Sequence, residues 1–163
     1  MAAEQAVTRL VLLRHGEAER LAARDEDRVL TSRGREEAAA AARQLLAHGY
    51  PIARFGSSPY VRAMQTAGIV ARLVGGDAVD IVTLDGFTPD DDPRAALRRL
   101  EAFLVPGGTV FVATHMPLIG SLAGLLVEGR AAACAGFATG SGVVLAGDLP
   151  HEGLCRVERS IGR

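Results

Sequence analysis

The chain has 163 residues, the usual size of one folded domain, and its 48% hydrophobic and 23% charged residues are typical of globular proteins. A formal net charge of −1 supplies no overall field to attract nucleic acid or an anionic membrane surface. We therefore expect a single domain over residues 1–163 that binds neither of these partners.

The first ten residues, MAAEQAVTRL, lack the basic region and apolar run of a signal peptide. No apolar stretch approaches the roughly 20 residues that a membrane-spanning helix needs. We therefore expect a cytoplasmic protein. The two cysteines, Cys134 and Cys155, are not spaced as metal ligands, and we expect both to be buried free thiols.

Apolar runs alternate with helical patterns along the chain. The segments with a strand pattern are residues 9–14, 52–57, 79–84, 108–114, 142–146 and 154–159. The predicted helices start at capping or proline signals and cover residues 32–48, 58–74, 92–105 and 116–127. This order predicts an α/β fold: a three-layer sandwich of a mostly parallel sheet with helices on both faces and a C-terminal antiparallel hairpin.

Polar side chains follow three of the predicted strands at their carboxyl ends. Arg14 and His15 end the first strand, Arg62 lies one turn into the helix after the second, and His115 follows the fourth. Ligands of such sheets bind outside the carboxyl ends of the strands. Arg28 belongs to an over-long connection, residues 17–30, that can fold over the same edge.

This combination of side chains suits phosphoryl chemistry. Guanidinium groups bind phosphate oxygens with paired hydrogen bonds, and phosphoryl transfer needs chiefly positioning and neutralisation of charge. A histidine that is neutral near pH 7, with an ordinary pKa of about 6.5, is a competent nucleophile. All of the basic residues are arginine, so an anion site in this chain must be built from arginine.

Three motifs carry a family resemblance. Residues 13–17 (LRHGE), 58–66 (SPYVRAMQT) and 114–115 (TH) resemble, in this order, the motifs of the histidine phosphatase (phosphoglycerate-mutase-like) superfamily. The chain length, residues 28–31 (RVLT) and residues 115–120 (HMPLIG) are similar to the small SixA-type phosphohistidine phosphatases. The resemblance extends from about residue 10 to the C-terminus and is patchy between the motifs.

The resemblance implies roles for five residues. His15 becomes transiently phosphorylated, and Arg14, Arg62 and Arg28 bind the phosphoryl oxygens. His115 completes the pocket by donating a hydrogen bond to these oxygens, particularly when it is protonated. Water then hydrolyses the phosphohistidine intermediate, and the superfamily needs neither a metal ion nor another cofactor for this reaction.

One departure from the family pattern bears on the substrate. Many relatives that act on phosphate esters carry an acidic residue after the third strand, which protonates the leaving group. Where SixA-type members have this acid, the chain has Gly86, and Asp85 is a candidate replacement. General-acid help is typically worth about 10²–10⁴-fold and matters most for an alkoxide leaving group. An imidazole leaves more readily, so the pattern favours phosphohistidine on a protein as the substrate.

Other hypotheses remain open at this stage. The same site can act on a small phosphate ester, or the chain can be a non-catalytic phosphate-binding module. A metal-dependent hydrolase that uses both histidines and the acidic run at residues 90–92 is a more distant alternative, because such runs commonly cap helices. The absence of a large insertion predicts an open pocket, which suits a phosphorylated side chain of another protein.

Overall fold

A six-stranded sheet with the order β3-β2-β4-β1-β5-β6 forms the centre of the computed structural model, which describes residues 6–132 and 136–162. The strands are β1 (Thr8–Arg14), β2 (Ile52–Ser57), β3 (Ile81–Thr83), β4 (Thr109–Thr114), β5 (Gly142–Gly147) and β6 (Cys155–Ile161). The first four are parallel, and β5 and β6 add an antiparallel pair beside β1. The predicted fold class is confirmed.

Both faces of the sheet are covered by helices, α1 (Ser32–Ala47) and α2 (Val61–Gly75) on one side and α3 (Pro93–Glu101) and α4 (Leu118–Glu128) on the other. Successive side chains of a strand point to opposite faces. In β1, Leu10 and Leu12 therefore pack with α3 and α4, whereas Val11 and Leu13 pack with α1 and α2. All four are fully buried, as expected for a parallel strand in the middle of three layers.

The helix starts predicted at residues 32 and 92 have the expected side-chain caps, whereas the start predicted at residue 58 is wrong. The side chains of Thr31 and Asp92 accept hydrogen bonds from the first turns of α1 and α3. The helix predicted to begin at Ser58 begins at Val61, with Tyr60 as its N-cap. The Ser58 hydroxyl is instead engaged by His115 and by the amide of Tyr60, and it is not available to cap the helix.

Two elements are shorter than the apolar pattern predicts. β3 lies at the sheet edge and pairs with β2 over only three residues. α3 ends at Glu101, after which the amides of Phe103 and Leu104 bond back to Leu100 in a tight turn that buries both side chains. In both cases the apolar residues beyond the end of the element pack in the core. An apolar pattern alone does not show whether such residues belong to the helix or strand.

The strand order brings three chain segments together at one edge of the sheet. β4 lies between β1 and β2, and its Thr114 and Ala113 are the register partners of Arg14 and Ser57. The amide of His15 donates to the carbonyl of Thr114 at 3.0 Å. The carboxyl ends of these strands are therefore level, and the residues that follow them share one site.

Two smaller expectations concern cysteine and membranes. Cys155 is a buried free thiol, and burial raises its pKa to about 11, while Cys134 lies outside the described residues. Within the part of the chain that the structure describes, no helix is long and apolar enough to cross a membrane.

The turn after β1 packs directly on the start of α1, backbone against backbone. A Cβ atom on Gly34 would collide with the backbone of Glu17, and one on Gly16 would collide with the backbone of Gly34. Neither neighbour is a side-chain end that can rotate away, so the turn that carries His15 depends on two glycines.

We expect Gly34→Ala to destabilise the protein by about 1–3 kcal/mol, the usual cost of overpacking. Gly68→Ala is the matched control, because Gly68 is also helical and its added Cβ would meet only the Ile81 Cδ1 atom at 3.8 Å. This control should be neutral or more stable by up to about 1 kcal/mol. Urea unfolding measures both changes, and equal stability of the two variants would contradict the packing argument.

Candidate active site

A cavity of about 1210 Å³ opens at the carboxyl ends of β1, β2 and β4. Five of the six predicted site residues line it, and they are Arg14, His15, Arg28, Arg62 and His115. The connection over residues 17–30 contributes much of one wall. The strand ends and, for Arg28, the long connection place these side chains where the sequence predicts, and their chemical roles remain predictions.

His15 is 7% exposed and has a defined orientation. Its Nδ1 atom lies 2.7 Å from the carbonyl oxygen of Gly16, which can only accept a hydrogen bond. Nδ1 therefore carries the proton, and the lone pair of the neutral ring is on Nε2. That atom lies 3.2 Å from Nε of Arg62, which donates to it.

Arg62 is a buried cation whose position is set by α2 and by the turn after β1. Its side chain is only 3% exposed, and its guanidinium carbon lies 4.9 Å from the ring centroid of Tyr60. Thr66, one turn later, donates to the carbonyl of Arg62 at 2.7 Å and accepts from the amide of Gly16 at 3.1 Å. Thr66 therefore links the helix that carries Arg62 to the turn that carries His15.

Arg14 approaches the cavity from the end of β1. Its Nη1 donates to the carbonyl of Phe137 at 2.6 Å, while its buried Nε has no hydrogen-bond partner among the described residues. An unpaired buried N–H is costly in the unliganded protein and is normally satisfied. A bound oxyanion is a chemically suitable acceptor for it.

His115 is 1% exposed and lies 5.0 Å from both the His15 ring and the Tyr60 ring, measured between centroids. Its Nε2 lies 2.7 Å from the hydroxyl of Ser58. Its Nδ1 is buried and has no partner in the described part of the chain. The other two histidines, His48 and His151, are exposed, and His48 is the C-cap residue of α1.

Burial and the surrounding arginines keep both active-site histidines neutral. Desolvation lowers the pKa of His15 to about 4, and the positive charges of Arg62, Arg14 and Arg28 act in the same direction. Desolvation and the same three arginines also lower the pKa of His115 far below its ordinary 6.5. His115 can therefore donate a hydrogen bond as a neutral ring and does not need the protonation that would strengthen this bond.

Asp25 is a cavity residue that the sequence analysis missed. Its carboxylate accepts from Arg62 Nη2 at 3.0 Å and from Arg28 Nε at 2.8 Å. Burial alone would raise the pKa of Asp25, but the hydrogen bonds and charges of Arg62 and Arg28 lower it. The i,i+3 spacing of Asp25 and Arg28 was the available signal, although such pairs are common on protein surfaces.

Asp85 is not brought to the cavity. Its side chain is exposed, and of the segment after β3 the cavity lining includes only Pro89. The acidic run that follows is used in local structure, because Asp91 accepts from Thr88 and Asp92 caps α3. Within the described residues, no group of three histidine, cysteine or acidic side chains is arranged to hold a metal ion.

Comparison with known proteins identifies the family. The model of the histidine phosphatase superfamily (branch 1) matches residues 10–88. Phosphohistidine phosphatase SixA of Escherichia coli (strain K12) is 33% identical to the chain over 124 residues, which are 73% of this chain and 74% of that protein. The chain belongs to the histidine phosphatase superfamily. It is a phosphatase, and so a hydrolase, as the motifs predict.

Solved structures agree with this membership. The structure of the protein histidine phosphatase SixA complexed with tungstate is 26% identical, with a TM-score of 0.82 over 94% of this histidine phosphatase and 96% of that chain. A protein from Agrobacterium tumefaciens, provisionally described as phosphohistidine phosphatase SixA, is 25% identical, with a TM-score of 0.78 over 96% and 98%. The similarity to SixA proteins therefore extends over nearly the whole chain.

The neutral state of His115 has a measurable consequence for stability. In the unfolded chain its pKa is about 6.5, whereas in the folded protein it is far lower, so only the unfolded state takes up this proton as the pH falls. The contribution of neutral His115 to the free energy of unfolding is complete above about pH 7 and decreases progressively as the pH falls below about 6.5. Between pH 7 and pH 5, we expect the free energy of unfolding to fall by about 1–2 kcal/mol less in His115→Gln than in the wild type.

Urea unfolding at the two pH values measures this difference. His151→Gln is the control, because His151 is exposed and lies outside the cavity lining. A loss of stability between pH 7 and pH 5 that is the same in the wild type and His115→Gln would show that His115 is not buried in its neutral form.

Proposed function

We propose that this histidine phosphatase hydrolyses phosphohistidine on a protein through a phosphorylated His15. The observation that carries the proposal is the neutral, buried His15 ring, whose Nε2 lone pair faces Arg62 in a cavity that Arg14 and Arg28 also line. A nucleophile with a free lone pair and a fixed cluster of cations are the two requirements of phosphoryl transfer to a side chain.

In the first step, the phosphoryl oxygens of the substrate bind Arg14, Arg28 and Arg62, and Nε2 of His15 attacks phosphorus. The P–N bond of the substrate breaks as the new P–Nε2 bond forms. Its electron pair goes to the leaving imidazole, whose other ring nitrogen takes a proton from solvent. The arginines neutralise the negative charge on the transferring group, which is the largest contribution such a site makes.

In the second step, water attacks the phosphorus of phospho-His15, releases a proton and forms orthophosphate. The electron pair of the P–N bond returns to Nε2. Because Nδ1 keeps its proton on the carbonyl of Gly16, His15 leaves as a neutral imidazole and not as an anion. The buried Nδ1 of His115 is a hydrogen-bond donor for a phosphoryl oxygen when the Ser58 hydroxyl donates to its Nε2.

The leaving group favours phosphohistidine over a phosphate ester. An ester needs an acid to protonate its alkoxide, but Asp85 is exposed and outside the cavity lining. Asp25 is inside the lining but is held as a carboxylate by two arginines. An imidazole is protonated by solvent near neutral pH and does not need such an acid. The names of the SixA relatives point to the same substrate class.

The rim of the cavity supports a protein substrate. Leu21 lines the cavity and, at 90%, is the most exposed of the large hydrophobic side chains that lie on the surface of the described residues. An exposed apolar side chain beside a phosphoryl site can pack on the surface of a folded substrate, whereas a small phosphate ester gains little from it.

The first experiment measures phosphate release in EDTA from a phosphohistidine protein and from glycerol 2-phosphate, an ester whose leaving group is an alkoxide. We expect turnover of the first substrate and at least about a hundredfold lower kcat/KM for the second, the lower range of missing general-acid help. His15→Ala should abolish both reactions, and the exposed His151→Ala should not. Efficient ester turnover would favour a small-molecule phosphatase, and no turnover of either substrate would contradict catalysis.

A second experiment tests the protein substrate through the cavity rim. Leu21→Asp should lower kcat/KM on a phosphohistidine protein by about tenfold, which corresponds to about 1.4 kcal/mol. Turnover of free phosphoramidate should change by less than about twofold, because the reacting groups are unaltered. Leu154→Asp is the control, since Leu154 is 57% exposed and does not line the cavity. An equal loss on both substrates would contradict a docking role for Leu21.

A further inference from the structure

Asp25 forms a compact network with the two arginines at one side of the cavity. Arg62 Nη1 donates to the carbonyl oxygen of Asp25 at 2.7 Å, and Arg62 Nη2 donates to its carboxylate at 3.0 Å. Arg28 Nε donates to the other carboxylate oxygen at 2.8 Å. One carboxylate therefore accepts from both guanidinium groups.

These contacts use all three nitrogens of Arg62, because its Nε donates to Nε2 of His15. Because every nitrogen of Arg62 is already engaged, a phosphoryl group that binds it through two oxygens shares these nitrogens with Asp25 or His15 or competes with them for the N–H donors. The Nε2 lone pair of His15 must likewise exchange its contact with Arg62 for phosphorus. In this arrangement, the carboxylate of Asp25 stands where the chemistry of the site requires an oxyanion.

The segment that carries Asp25 can move at small cost. Asp25 begins a one-turn 3-10 helix, Asp25–Asp27, that has no buried residue, and the Asp25 side chain is 57% exposed. The base of the connection is better fixed, because Leu30 is buried and its amide donates to the side chain of Gln65 at 2.8 Å. Displacement of the carboxylate would therefore leave the core intact.

We propose that Asp25 is an internal counter-ion that competes with the phosphoryl group for Arg62 and Arg28 and so sets the affinity of the site for oxyanions. The inference rests on the proposed function, in which these two arginines are phosphoryl ligands. Asp25 keeps the buried Arg62 paired when the cavity holds no anion, which avoids the cost of an uncompensated buried charge. By competing with orthophosphate, it also favours release of the product.

Direct binding of orthophosphate, measured by calorimetry at low ionic strength, tests this role without any turnover. We expect Asp25→Asn to bind orthophosphate at least about threefold more tightly than the wild type, because one negative charge within contact distance of the arginines is removed. Asp25→Ala should shift the affinity in the same direction. The advantage should shrink in about 0.5 M salt, since the effect is electrostatic.

Asp27→Asn is the matched control. Asp27 belongs to the same helical turn and carries the same charge, but its side chain pairs with the exposed Arg24 and does not line the cavity. This variant should change the orthophosphate affinity by less than about twofold. Thermal melts of all variants verify that each is folded.

Weaker or unchanged orthophosphate binding in both Asp25 variants would overturn the inference and would leave Asp25 as a residue that merely orders Arg62. An equal gain in Asp27→Asn would overturn it as well, because any charge on the segment would then suffice. Failure of phosphohistidine turnover is a separate result. It would contradict the proposed substrate, while a tighter complex of Asp25→Asn with orthophosphate would still support the counter-ion role.

Discussion

The parallel pairing of β4 with both β1 and β2 is the constraint on which the active site depends. Its register places Thr114 beside Arg14 and Ala113 beside Ser57, so the three strands end at one level. His15 and His115 then follow neighbouring strands and stand 5.0 Å apart between ring centroids. A shift of one residue in either pairing would turn the side chains that follow to the opposite face of the sheet.

The arginines and the Asp25 carboxylate are charged groups of the cavity, while its two histidines are neutral. Arg14, Arg28 and Arg62 lie in the cavity lining beside two histidines, and burial together with these three cations keeps both rings neutral. In the proposed reaction, the neutral ring of His15 is the nucleophile and that of His115 is a hydrogen-bond donor. The carboxylate of Asp25 offsets part of the positive charge and is the natural competitor of a phosphoryl group.

Much of the fold and the position of five site residues could be predicted from the sequence, because strand ends in a parallel sheet share an edge whatever the loops do. The predicted helix boundaries are wrong where the residues that gave the local signal make other contacts in the fold. Ser58 has the residue type and the following proline of a helix cap, yet its hydroxyl is bonded to His115, 57 positions along the chain. The apolar residues after α3 continue a helical pattern, but they turn inward to fill the core.

The family, the α/β order of the elements and the edge of the sheet on which His15, Arg62 and His115 meet can be derived from the sequence, because they follow from short motifs and periodic apolar patterns. The folded structure was needed to show which nitrogen of His15 carries the lone pair and which partner His115 takes. It was also needed to show that Asp85 lies outside the cavity lining and Asp25 within it. These features depend on distances between residues that are remote in the chain, and no local pattern encodes such distances.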